Sequence, residues 1–358
     1  MMIEYRIRMF GNYSPILRRR RPRPVVVEGP SLPLWVSPEK DEPAHGILLR
    51  LAERNGIENP VGILNHTGLR TSDLRVGREV PKLAKLIRCS PIDILDSTFV
   101  AGDDGWCSVR GQRLQGRRDI EGTRRRLCPH CIAESPHQRF WFDVTFISTC
   151  PKHNIELISD CSCGHPLSWS DVRVSKCRHC ENGDVQNIRN ANANEDVLEV
   201  DRWILGRLGV TKSASIPVLD ELPLTHAFSA ITAVGALQVG GNETRKSMKE
   251  SISTADVSIN EARAAGFGIL RDGVLDQLLD RVYARYRPYF RGASFHGAFS
   301  WFGTWFMQWH HRTASDVPHS RFADIVIANA ARKSLAYRRK GSVNESDGNA
   351  ALGRPGAG

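Results

Sequence analysis

The sequence predicts a mostly α-helical protein with a small, metal-stabilised β or knuckle region, and three observations lead there. Apolar residues recur at helical spacing on both flanks, from about Ala44 to Phe99 and again from Val197 onward. Between the flanks lie Cys128, Cys131, Cys150, Cys161, Cys163, Cys177 and Cys180, seven of the nine cysteines. The two ends, rich in Arg and Pro or in Gly, carry too little apolar surface to offset the entropy of ordering them. The order expected is a disordered basic arm (1–40), a helical unit with a helix-turn-helix layout and an Arg-rich loop (44–127), and tandem zinc fingers (128–180). A linker (181–196), a C-terminal helical bundle (197–340) and a disordered tail (341–358) complete it.

The cysteines are grouped as close pairs of soft or imidazole ligands. Cys128-Pro-His-Cys131 is followed after eighteen residues by Cys150-Pro-Lys-His153, then by Cys161-Ser-Cys163-Gly164 and Cys177-Arg-His-Cys180. Two ligands two residues apart reach one ion from a single turn, and four ligands complete the tetrahedron that Zn²⁺ takes. Pro in the second position pre-sets φ for such a turn, and Gly164 suits a positive φ. Grouped in order, Cys128, Cys131, Cys150 and His153 hold one ion and Cys161, Cys163, Cys177 and Cys180 a second. An interleaved pairing fits the spacing as well. Disulfides are the rival reading; they need an oxidising compartment, and no signal peptide is visible in a start carrying Arg6 and Arg8.

Taken in order, Ile47, Leu48, Leu51 and Ala52 fall on one helical face ended by Asn55-Gly56. Asn59-Pro60 reads as an N-cap followed by Pro at the first helical position. A helix over Val80–Ile87, the turn Arg88-Cys89-Ser90 and a helix opened by Ser90-Pro91-Ile92-Asp93 have the layout of a helix-turn-helix, with Ile92, Leu95 and Phe99 inward. An ordinary helical hairpin has the same spacing. Cys89 and Cys107 read as small core residues. Phe140, Trp141, Phe142, Val144 and Phe146 read as packing over the metals, with base stacking as the alternative. Beyond the linker, helices are expected near Val197–Leu208, Leu222–Val239, Asn260–Leu270, Val274–Tyr289 and Arg321–Arg338. Phe295, Phe299, Trp301, Phe302, Trp305, Phe306 and Trp309 read as a buried aromatic helix or a partner-docking surface.

The net charge of +10 is concentrated in clusters. Residues 1–30 hold seven arginines against Glu4 and Glu28, and residues 108–127 hold Arg110, Arg113, Arg117, Arg118, Arg124, Arg125 and Arg126 against Asp119 and Glu121. Such clusters favour a phosphate backbone, and the seven arginines of 110–126, in a stretch punctuated by glycines, are the candidate nucleic-acid contacts. No apolar run approaches the roughly 20 residues needed to cross a bilayer, so a cytoplasmic, nucleoid-associated protein is expected. No phosphate-binding glycine loop, G-x-S-x-G or H-E-x-x-H occurs, and two four-ligand zinc sites leave no coordination position for water; no enzyme is expected.

The run Arg126-Leu-Cys-Pro-His-Cys131, then Cys150-Pro-Lys-His153, the apolar tract Ile155, Leu157, Ile158 and the last pair Cys177/Cys180 resembles the TniQ family of transposition proteins. The helix around Gly46–Gly56 and Ala262-Arg-Ala-Ala-Gly-Phe267 are similar as well, and the resemblance spans about residues 44–335. It departs at Cys161-Ser-Cys163, one residue shorter than the family's usual C-x-x-C, so Asp160 or His165 could replace a thiolate there. The resemblance implies a non-enzymatic target-selection factor. Such a factor holds target DNA or a CRISPR-type ribonucleoprotein and recruits an AAA+ transposition ATPase, and through it the transposase; a homodimer is possible on this reading. The alternative is a zinc-dependent helix-turn-helix transcription regulator.

Overall fold

The computed structural model describes residues 31–180, 184–212, 214–240, 257–286, 305–313 and 319–333. The basic arm 1–30, the aromatics Phe295, Phe299, Trp301 and Phe302, the residues Arg338, Arg339 and Lys340, and the tail lie outside the described residues. Among the described residues the chain is mostly helical with two small sheets.

The first unit is built from α1 (Ala44–Arg54), α2 (Pro60–Thr67), α3 (Thr71–Arg75), α4 (Val80–Ile87) and α5 (Ile92–Leu95). Ile47, Leu48, Leu51 and Ala52 of α1 pack on Ile63, Leu74, Leu83 and Ile87 in one core. Each large aliphatic side chain buried there contributes about 1.5–3 kcal/mol. The caps follow the sequence: the Asn59 side chain accepts from Val61 N with Pro60 at the first position, and α1 stops at Asn55.

The helix-turn-helix expectation is corrected in its second half. Ser90-Pro91-Ile92-Asp93 opens a helix of a single turn, too short to lie along a groove as a recognition helix. Ile92, expected inward, is 71% exposed, and Ile94 takes the core position. The helix ends because Thr98 serves α1 instead: its hydroxyl donates to Ile94 O at 2.9 Å and accepts Ala44 N at 3.0 Å. The chain then turns Phe99 into the core beside Phe140.

The Arg-rich stretch is not a loop. A three-stranded antiparallel sheet, β1 (Val100–Ala101), β2 (Cys107–Val109) and β3 (Gln112–Leu114), fills its first part, and a single turn, α6 (Gly116–Asp119), follows. Val109 pairs with Gln112, leaving Arg110-Gly111 as a two-residue hairpin loop with φ of 47° and 74°. Positive φ at both positions is the type I′ geometry that matches strand twist, and Gly111 adopts it without steric cost.

The metal-ligand region contributes α7 (Pro129–Glu134), a 3₁₀ turn over Phe140–Asp143, and the strands β4 (Thr149–Cys150) and β5 (Ile155–Glu156). Phe140, Trp141, Phe142 and Val144 are buried, and Phe146 stacks on Phe228 with centroids 3.8 Å apart. The residues expected as a linker are packed against this region. Glu156 N donates to Ala191 O, Ala193 N to Asn154 O, and Val185 is fully buried.

The C-terminal part comprises α8 (Glu195–Arg207), α9 (Pro217–Asp220), α10 (Leu224–Gly240), α11 (Ile259–Arg271), α12 (Leu275–Tyr286), α13 (Trp305–Thr313) and α14 (321–333). α11 opens with a reciprocal capping box between Ser258 and Glu261. α10 and α11 cross on Gly235 and Gly266, where an added Cβ would meet Ala262 O and Ile231 O. Phe306 and Trp309 of α13 are buried against Phe322. One continuous core runs from Cys128 through Trp203 and Phe267 to Val326, and Val185 of the expected linker belongs to it.

Candidate metal centres

The first centre sits where the start of α7 meets the β4–β5 turn. Cys128 is the N-cap of α7, its sulfur accepting from Cys131 N at 3.4 Å, with Pro129 at the first helical position. His153 is presented by a turn in which His153 N and Asn154 N both donate to Cys150 O. The His153 Nδ1 atom lies 3.3, 3.4 and 3.5 Å from the sulfurs of Cys128, Cys131 and Cys150, and Cys131 Sγ lies 3.6 Å from Cys150 Sγ. A tetrahedral zinc ion with ordinary bond lengths separates its ligand atoms by about 3.5–3.8 Å. The four atoms therefore fit one ion, with Nδ1 as the imidazole ligand.

The far side of the ring is also arranged for that role. His153 Nε2 lies 3.0 Å from Glu134 Oε1, and Glu134 is paired with Lys152. A carboxylate on the remote nitrogen fixes the ring and its tautomer for metal binding. The chemistry of the donor set agrees. Cys131 is pushed well above the ordinary thiol range by the neighbouring Cys128 and Cys150 sulfurs and by burial, while hydrogen bonds from Cys128 and Cys131 push Cys150 down. Thiols packed this closely compete for charge, and a bound dication allows all of them to ionise.

In the second centre Cys161 Sγ lies 3.6 Å from Cys180 Sγ and Cys163 Sγ 3.9 Å from Cys177 Sγ, with all four sulfurs within 4.8 Å of one another. The shortened Cys161-Ser162-Cys163 step closes through Gly164 N to Cys161 O at 2.9 Å and Cys161 N to His165 O at 2.8 Å, with Gly164 at φ 82°. Asp160 is turned to Ser159, which donates to its Oδ2 at 2.6 Å. His165 Nδ1 is 3.6 Å from Cys163 Sγ, and its ring stacks on His179 at 4.2 Å. The geometry thus groups the ligands in sequence order, with four thiols at the second position. None of the nine cysteines is in a disulfide. Cys163 is exposed, whereas Cys128, Cys131 and Cys150 are buried.

The arginines expected to grip phosphate divide sharply. Arg125 is fully buried: it pairs with the equally buried Asp171 at 2.9 Å and donates to Val174 O at 2.7 Å. Arg126 donates to Val144 O and Ile147 O inside the aromatic turn. Arg110 reaches Asp41 at 2.7 Å and Asp96 at 2.8 Å, with its guanidinium over Phe140. These three are internal braces and are not positioned to grip phosphate. Arg113, beside Asp104 and Trp106, and Arg118, donating to Ser229, are part-exposed. Arg124 is exposed, and the side chain of Arg117 lies outside the described residues.

Glu134 and Asp201 were not singled out from sequence. Glu134 sits three residues beyond Cys131 on the same helix, a spacing that could have pointed to it. Asp201 is buried and accepts Ser148 N, Thr149 N and both hydroxyls, tying α8 to the strand that ends in Cys150. Nothing local signals that pairing. No helix among the described residues is long and apolar enough to cross a membrane.

Compared with known proteins, residues 33–157 match the TniQ family, and the chain carries a TniQ domain over that span. The match takes in the whole first centre and ends before Cys161. No curated protein matches the chain.

Proposed function

We propose that the TniQ domain of residues 33–157 belongs to a non-enzymatic transposition accessory protein. In this reading it selects or bridges the target nucleic acid, or an RNA-guided complex, and recruits the AAA+ ATPase and transposase. A TniQ domain marks a transposition-associated protein, and its coincidence with a closed four-ligand cluster is the observation that carries the reading. Cys128, Cys131, Cys150 and His153 would hold one zinc ion, and Cys161, Cys163, Cys177 and Cys180 a second. Zinc supplies folding free energy and a fixed geometry at such sites, because four protein ligands leave no position for substrate. The chain's own contribution is placement. Arg125 ties the approach to the first centre to the second knuckle, Arg126 ties it to the aromatic turn, and Asp201 ties α8 to the strand that ends in Cys150.

The transcription-regulator alternative needs a recognition helix after α4, and α5 has one turn. The accessory reading has no such requirement. The test is targeted insertion into a reporter plasmid by this gene expressed together with its native flanking genes. Omitting this chain should abolish targeted insertion while the transposase still cleaves its own ends. Targeted insertion at full frequency without the chain refutes the proposal. Repression of a nearby promoter, with no effect on insertion, would favour the regulator.

A further inference from the structure

We infer that the duplex DNA backbone is gripped by the exposed basic residues of α4 and its C-cap together with the segment that follows the N-terminal arm, and not by the zinc-flanking arginines first expected to do so. The inference rests on the nucleic-acid reading above and names the surface that serves it. Lys82 and Lys85 are spaced three apart on α4, Arg88 follows as its C-cap, and all three are exposed. Lys82 pairs with Glu79 at 2.8 Å while remaining 68% exposed. Among the described residues, Lys85 and Arg88 donate to no carboxylate, and neither does Arg54 at the end of α1. The nearby acids are engaged elsewhere: Glu79 also accepts Arg70 N, and Asp93 accepts Ser90 N.

The segment following the arm is fastened to the ends of α1 and α2, and it meets the end of α4 through Trp35. Ser31 O meets His66 Nε2 at 3.3 Å, and Asn55 clasps Leu34 through both its backbone N–H and its carbonyl. Trp35, 46% exposed, lies under the Arg88 guanidinium, whose carbon is 4.2 Å from the ring centroid. An indole holds a guanidinium by its face and leaves its N–H donors for an oxyanion. Seven arginines occur in residues 1–30, directly before this segment in the sequence. A regular polyanion complements that charge. Lysine and arginine side chains of this kind supply the contacts that position a protein on phosphate.

The test uses the full zinc-loaded chain and a fluorescein-labelled 30-base-pair duplex of arbitrary sequence, with anisotropy read from about 50 to 300 mM KCl. Lys85→Glu/Arg88→Glu should weaken binding at least tenfold at low salt. It should also flatten the slope of log affinity against log salt by about 2, because each phosphate that a side chain neutralises adds about 0.9 to that slope. Arg124→Glu, beside the first centre, should stay within threefold of wild type. Unchanged zinc content and circular dichroism separate these effects from misfolding. Wild-type affinity in the Lys85→Glu/Arg88→Glu variant, with weakened binding in the Arg124 variant, overturns the inference and leaves the nucleic-acid reading standing. Tighter binding of a 30-nucleotide single-stranded RNA than of the duplex overturns the assignment to DNA. Failure of the wild-type chain to bind any nucleic acid at 50 mM overturns the nucleic-acid reading and the inference with it.

Discussion

Replacing Arg125 by methionine isolates the internal bracing of the metal region. Arg125 and Asp171 are both fully buried, 2.9 Å apart, and the guanidinium also donates to Val174 O. Burial alone pulls the Arg125 guanidinium below its ordinary range, and Asp171 is what pulls it back. Methionine fills most of the volume but leaves the Asp171 carboxylate in the interior. Breaking a buried pair in this way costs about 3–5 kcal/mol. Asp171 still accepts Ser168 N and Arg178 N, so the lower end, about 3 kcal/mol, is expected. With a urea slope of about 1–3 kcal/mol per molar, the midpoint should fall by roughly 1–3 M. The loop that carries Cys177 should loosen too, so the second ion should leave to a colorimetric chelator before the first. Arg125→Met/Asp171→Asn should recover part of the loss, because no unpaired charge remains. A midpoint within about 0.3 M of wild type, with both ions held and DNA affinity lost, would refute the brace and restore Arg125 as a phosphate contact.

Cys131→Ser should release about one ion per chain and unfold the region around α7, read by metal analysis and circular dichroism; a folded variant retaining its full zinc would count against it. Glu134→Gln removes the carboxylate from His153 Nε2 and should weaken the first ion about 10–100-fold in chelator competition, with the fold intact. Burial pushes the Asp201 carboxyl up to about 6, against the hydrogen bonds of Thr149 and Ser148 and the charge of Arg126. A carboxyl raised above its unfolded value near 3.9 contributes fully below about pH 4 and loses that contribution as pH rises through about 6. Wild type should thus lose about 3 kcal/mol relative to Asp201→Asn between pH 4 and 7, and parallel stability profiles would contradict this. Gly266→Ala should force α10 and α11 apart and cost about 1–3 kcal/mol of thermal stability; a neutral effect would show that the crossing can relax.

What could be read from the sequence was local. The ligand spacings, the Asn59-Pro60 cap and the helical periods of 195–286 involve residues within a few turns of each other, and the structure brings each together. The failures were tertiary. Arg124 and Arg125 look alike in sequence, yet one is exposed and the other is buried against a partner 46 residues later. Glycines in 105–122 suggested a loop, when Arg110-Gly111 was a two-residue hairpin signal. Ile92 looked like a core position because the helix was drawn four residues too long. Thr98 is diverted to the start of α1, and no local pattern announces that.

The path of the chain through the two centres has a mechanical consequence. Ile158 pairs with Leu127 beside the first centre, and residues 190–193 return to lie along β5 before α8 begins. The second knuckle is thus an excursion that departs from and comes back to the same strand pair. A pull on α8 would be borne first by Asp201 and the 190–193 hydrogen bonds, while the second knuckle is held separately to the first unit by Trp169, which packs on His45 and lies under Arg75. The short Cys161-Ser-Cys163 step lies inside that excursion, where the turn at Gly164 closes it.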